Sequence, residues 1–208
     1  MSKYVIFDID GTLNQTDLYA VEAYMKALQK RNIQATRRDI IECIGLSPAS
    51  IIERLLGPLD EEEIQLWTYD IKKFEFELMT EKAKSFEGVE EMLSALKALG
   101  YKLAICSNAF FDHIEQVLSV IGIRSFFDEI GSLEWGNNKE EVLQYLMEKI
   151  EFEQACMVGD RMFDIQAARE NGLPVIGCAY GYAPEEIQEA DIVVKAPGEI
   201  VQAVKVLI

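Results

Sequence analysis

The stretch Val5-Ile6-Phe7-Asp8-Ile9-Asp10-Gly11-Thr12-Leu13 decides the fold. Its apolar start, with Tyr4, reads as a short buried strand that stops at two acids spaced two residues apart. Gly11 then lets the chain turn sharply. In open parallel sheets ligands gather beyond the carboxyl ends of the strands, and Asp8 leaves the strand there.

Moving outward, three more short apolar runs follow the same plan: Leu103 to Cys106, Cys156 to Val158 and Val175 to Cys178. Each precedes a polar or glycine-containing turn. Apolar residues at three- and four-residue spacing over Val89–Leu99, Phe111–Ile121, Glu140–Lys149 and Ile165–Asn171 predict covering helices. This βαβ alternation predicts an α/β fold with a Rossmann-like parallel sheet. The gap from Phe7 to Leu103 is far longer than one crossover helix needs. Helical patterns over Leu18–Lys30, Arg37–Cys43, Ala49–Leu56 and Glu61–Met79 fill it, broken at Asn32, Gly45, Pro48, Gly57 and Pro58. The expected organisation is a core of residues 1–14 and 83–208 with an inserted α-helical cap domain at 15–82. Short joints at Asn14–Asp17 and Lys82–Glu87 are candidate hinges.

The two acids suit a definite chemistry. A carboxylate attacks phosphorus to give an acyl phosphate when a cation offsets the repulsion between anions, and Asp8 fits that role. A second acid two residues on, Asp10, is placed to protonate the leaving oxygen and then to activate water. Ser107 and Asn108 follow the second strand and offer a hydroxyl and backbone N–H groups to phosphate oxygens. Gly159-Asp160-Arg161-Met162-Phe163-Asp164 follows the third, with two acids that also suit a helix start. Asp8, Asp10 and Asp160 leaving adjacent strands would form an oxygen-rich pocket suited to Mg2+. Lys139, at a helix start after Gly136-Asn137-Asn138, offers a further positive charge.

Composition narrows the classes. The chain has 208 residues, 50% hydrophobic and 27% charged, with 36 acids against 20 basic residues and a formal net charge of -16. That field opposes nucleic-acid and anionic-membrane partners, so any phosphate site must gather its own cations. The 4 cysteines form no CxxC pair and there is 1 histidine, His113, which argues against zinc. No signal-like start or run of roughly 18 apolar residues is present, so a cytoplasmic protein with reduced thiols is expected.

The set Asp8-x-Asp10-Gly11-Thr12-Leu13, Ser107-Asn108, Lys139 and Gly159-Asp160-x-x-x-Asp164 resembles, in order and spacing, the four motifs of the haloacid dehalogenase superfamily. The insert resembles that family's type 1 cap. Met157-Val158-Gly159-Asp160-Arg161 and Ala179-Tyr180-Gly181-Tyr182 look like its phosphoglycolate phosphatase and 5'-nucleotidase-like subgroup. The resemblance implies Asp8 as nucleophile and metal ligand, Asp10 as acid/base that also ligates metal, Lys139 as the steadying cation, and Asp160 and Asp164 in the metal shell. Thr12, Ser107 and Asn108 would meet the substrate, with Gly45 of Cys43-Ile44-Gly45-Leu46-Ser47-Pro48 in a substrate-facing loop. Glu140 stands where the family often has Pro after the lysine. Asp10 argues against the dehalogenase and transport-ATPase branches, which lack the second acid.

The implied protein is a Mg-dependent phosphatase acting on a small phosphorylated metabolite, as monomer or homodimer. A sugar phosphomutase is the enzymatic alternative, disfavoured because no histidine stands around Leu18 to Val21. A non-catalytic phosphate-ligand binding protein is the other. Outside the motifs, His113, Trp67, Tyr69, Phe74 and Phe76 read as structural, Arg54 as solvated, and Asp60-Glu61-Glu62-Glu63 as a helix start.

Overall fold

A computed structural model describes residues 2–208; Met1, which the sequence reading assigns to the core, lies outside the described residues. Strands β1 (Ser2–Phe7), β2 (Lys102–Cys106), β3 (Glu129–Gly131), β4 (Phe152–Gly159), β5 (Val175–Cys178) and β6 (Ile192–Val194) form one 6-stranded sheet in the order β3-β2-β1-β4-β5-β6. Every pairing is parallel. The chain order reverses about β1, which lies between β2 and β4 and so borders the crevice where ligands collect in such sheets.

Both sheet faces are covered, which is why the strands read as continuous apolar runs and not as alternating ones. On one face Val5 and Phe7 pack with α5 (Val89–Ala98), α6 (Phe111–Val120) and α9 (Ile200–Leu207), through Leu93, Ile114 and Val204 among others. On the other, Tyr4 and Ile6 meet Val142 and Leu146 of α7 (Lys139–Lys149) and Ile165 and Ala168 of α8 (Met162–Glu170). Burying each large apolar side chain contributes about 1.5–3 kcal/mol. Truncating Phe7 would therefore loosen the strand that delivers Asp8.

Between β1 and β2 the chain forms α1 (Asp17–Gln29), α2 (Arg37–Ile41), α3 (Pro48–Leu56) and α4 (Glu61–Lys82). Asp60 caps α4 by accepting from Glu63 N at 2.9 Å, while Glu63 Oε2 accepts from Asp60 N at 3.1 Å. The acid run is thus a helix start. Thr36 and Asp39 make the same reciprocal cap on α2, and Ser47 with Pro48 opens α3. Trp67, Ile71, Leu28 and Ile40 form a cluster of their own, whereas Tyr19, Ala23, Leu78 and Met79 join the sheet-face core. The connections flanking this helical segment pair with each other: Gln15 N donates to Lys84 O at 2.9 Å and Phe86 N to Leu13 O at 3.0 Å.

Candidate active site

Parallel pairing aligns Phe7 with Val158, so Asp8 and Asp160 emerge from neighbouring strand ends. Asp8 N donates to Val158 O at 2.9 Å, fixing the turn-off. The sequence then supplies room. Gly11, at φ +85°, and Gly181 both lie so close to Asp160 that a Cβ on either would collide with its carboxylate. A Cβ on Gly159 would likewise collide with Asp164.

Lys139 sits at the first turn of α7, which Asn138 caps by accepting from Glu141 N at 2.9 Å. Its ammonium lies 2.5 Å from Asp8 Oδ1 and 2.6 Å from Asp164 Oδ1. Asp164 also serves its helix: Oδ2 accepts from Arg161 N at 2.9 Å, satisfying a free donor at the start of α8. Asp160 Oδ2 accepts from Tyr182 N at 2.7 Å. Asp8, Asp160, Asp164 and Lys139 are all buried.

Oxygens of Asp8, Asp160 and Asp164 lie within 4.8 Å of one another. Three carboxylates against one ammonium leave an excess of two negative charges, which burial makes costly. Burial accordingly pushes the Asp8 carboxyl up to about 7 against the pull of Lys139, with Asp164 and Asp10 adding to the rise. Asp160 is raised well above its usual range by burial and then by Asp8 and Asp164. Burial opposes the charge on Lys139, but Asp164 and Asp8 overcome it and hold the ammonium above the ordinary lysine range. Among the described residues, Asp8 Oδ2 and Asp160 Oδ1 are buried without a hydrogen-bond partner. Hard oxygen donors, a double excess of negative charge and two partnerless oxygens together fit one divalent cation.

Asp10 is half-buried, outside this triad, and lines an adjoining cavity of about 540 Å³. Thr16 Oγ1 donates to Asp10 Oδ1 at 2.5 Å and accepts from Asn14 Nδ2 at 2.8 Å. Asn14 and Thr16 thus orient Asp10, and neither was expected from the motifs. The hydroxyl of Thr12 is buried without a partner among the described residues. Ser107 is buried at the end of β2, its Oγ accepting from Ala109 N at 3.2 Å. Asn108 Nδ2 donates to Gly45 O at 3.1 Å, so these two residues from distant parts of the chain meet. Arg161 donates to Ile44 O in the same loop and to Glu186 Oε2 at 2.9 Å. A Cβ on Gly45, at φ +87°, would lie 3.2 Å from Arg161 Cγ.

A family model for haloacid dehalogenase-like hydrolases matches residues 5–178. The chain belongs to this family. The matched region opens within β1, immediately ahead of Asp8 and Asp10. It is 31% identical over 194 residues to a phosphoglycolate phosphatase of Haemophilus influenzae, covering 86% of this chain and 87% of the relative. It is 29% identical over 196 residues to the pyrophosphatase PpaX of Listeria innocua, covering 89% and 87%. The crystal structure of a predicted phosphatase from Clostridium acetobutylicum superposes with a TM-score of 0.89 at 26% identity over 100% of both chains. This haloacid dehalogenase-like hydrolase is therefore a phosphatase of the phosphoglycolate phosphatase-like branch.

In this hydrolase the motifs did not reveal everything near the site. Tyr182, within the Ala179–Tyr182 cue, holds Asp160 through its N–H and accepts from Asp17 N at 2.9 Å through its hydroxyl oxygen. His113, Tyr69 and Phe76, expected as structural, line the cavity, and Tyr69 and Phe76 are largely exposed. Arg54, expected to be solvated, is exposed and paired with Glu42. The 4 cysteines are free and buried. Among the described residues no helix is long and apolar enough to cross a membrane.

Proposed function

We propose that the protein is a Mg2+-dependent phosphatase that hydrolyses a small phosphate monoester through an aspartyl-phosphate on Asp8. What supports this most is the buried group of Asp8, Asp160 and Asp164 around Lys139, with its uncompensated negative charge. In this reading Asp8, Asp160 and Asp164 hold the cation with help from Asp10. When bound, Mg2+ supplies the positive charge that lets one anion approach another.

An Asp8 oxygen attacks phosphorus as the bond to the ester oxygen breaks. Asp10 gives its proton to that leaving oxygen, so the alcohol departs neutral. Asp10, now ionised, takes a proton from water; the resulting hydroxide attacks phosphorus, breaks its bond to Asp8 and releases inorganic phosphate. Thr16 holds Asp10 in place for both transfers. Lys139 balances Asp8 throughout, while Thr12, Ser107 and Asn108 meet the non-bridging oxygens. Residues 15–82 act as a cap over the core of 1–14 and 83–208, and the Gly45 loop, held by Asn108 and Arg161, faces the substrate. The paired joints at Gln15 and Lys84 are its hinge.

Release of p-nitrophenol from p-nitrophenyl phosphate tests this reading. Activity is expected with Mg2+ and loss of it in excess chelator; equal rates with and without chelator would refute the metal-dependent mechanism.

A further inference from the structure

The cavity beyond Asp10 has a chemistry that the phosphate-handling residues do not use. Its wall is largely apolar, built from Tyr24, Ile51, Trp67, Phe76 and Phe110. Into that surface α4 brings Glu75 and α6 brings His113 and Gln116. Glu75 is mostly buried, its side chain only 13% exposed, and no hydrogen bond from the described residues reaches it. The His113 Nδ1 nitrogen stands 3.9 Å away, beyond hydrogen-bond distance. Gln116 Nε2 is buried with no partner among the described residues, and a Gln amide can present either its NH2 or its oxygen to a ligand. The Glu75 carboxyl, facing the cavity with no donor in reach, favours a ligand that brings one.

The charges around the cavity give the sign of that ligand. Lys72 is tied to Asp112 at 3.0 Å, and Lys73 and Glu77 are exposed. The buried end is left with Glu75 and, toward the reacting phosphate, Asp10. Burial raises the Glu75 carboxyl, His113 opposes that rise and Asp10 adds to it. An anionic leaving group, such as the second phosphate of pyrophosphate or the carboxylate of phosphoglycolate, would meet the Glu75 carboxyl there without a donor to hold it.

We propose that this cavity selects phosphate monoesters of an apolar alcohol ending in a hydrogen-bond donor, best an ammonium, which Glu75 receives while the apolar walls hold the body between. This specificity rests on the phosphatase reading of the preceding section. At about 540 Å³ the cavity is in the range that encloses small organic ligands. Glu75 is thereby a specificity-determining residue, and the substrate class differs from those in the relatives' names.

Three esters with matched leaving groups test it: 4-(2-aminoethyl)phenyl, 4-propylphenyl and 4-(2-carboxyethyl)phenyl phosphate. They change the distal charge while keeping the reacting centre nearly constant. We expect kcat/KM to fall in that order, with about tenfold or more between ammonium and carboxylate esters. Glu75→Gln should cut that ratio by about tenfold, and a ratio is independent of how much variant protein is folded. A carboxylate ester used as well as the ammonium ester, or an unchanged ratio in Glu75→Gln, would overturn the proposal. If neither these esters nor p-nitrophenyl phosphate is hydrolysed, the phosphatase reading fails on its own. Calorimetry with tyramine and 3-(4-hydroxyphenyl)propanoate then decides the cavity: tighter tyramine binding that Glu75→Gln removes upholds it, and any other order rejects it.

Discussion

Asp164 divides its two oxygens between tasks that sequence reasoning treats as rivals. One closes the first turn of α8 and the other meets Lys139, so the acid is both a helix cap and part of the charged cluster. Asp10 differs, since it stands apart from Lys139 and receives the Thr16 hydroxyl. For Asp10→Asn we expect single-turnover phenol release from phenyl phosphate, a poorer leaving group that needs the proton, to slow by about 10²–10⁴, the usual span of general acid–base catalysis. A release rate within threefold of wild type would remove Asp10 from the proton transfers. At this scale the motifs made the acids and Lys139 legible, because their residue types and spacing are constrained by chemistry. Thr16 and Asn14 were not legible, since a short polar side chain beside a turn is common and only its contacts distinguish it. Glu75 and His113 lie on helices whose mixed patterns reveal no inward direction until α4 and α6 are set against each other.

The elements that deliver the site are strands whose apolar runs are unmistakable, and β1, β2, β4 and β5 fall where the sequence puts them. β4 begins earlier than its apolar run, at Phe152, because pairing with β1 extends to the exposed Gln154 and, across a register shift that skips Glu153, to Phe152. β3 and β6 escaped notice because each is 3 residues long and lies at a sheet edge, too short to show a period. α9 covers the sheet through Ile200, Ala203 and Val204, outside the span of the motifs. Between β5 and Tyr182, Gly181 exists for space: its φ is unremarkable, yet a side chain there would strike Asp160. Gly181→Ala is expected to displace that acid and weaken Mg2+ binding at least tenfold, read as the midpoint of a thermal-shift titration with MgCl2. An unchanged midpoint would remove Asp160 from the cation site.

Across the whole molecule, the net charge of -16 is tolerable on a solvated surface but not where three acids share one lysine. In the metal-free protein Asp8 and Asp160 are raised above their unfolded values, as is Glu75. The folded chain then binds more protons than the unfolded one, so its stability falls as the pH rises toward and through about 7. Acids held low by partners, such as Asp70 and Asp128, lose their contribution only below their ordinary range near 3.8 and do not act in this window. Metal-free Tm should therefore climb from about pH 8 to about pH 6, and saturating Mg2+ should abolish the climb by favouring the ionised acids. A metal-free Tm that drops over that interval would contradict the charge balance described for the site. The central claim is covalent catalysis by Asp8, and turnover of p-nitrophenyl phosphate by Asp8→Asn in saturating Mg2+ tests it most directly. We predict a rate at least about 10³ below wild type with the fold retained by circular dichroism, whereas turnover within tenfold of wild type would contradict it.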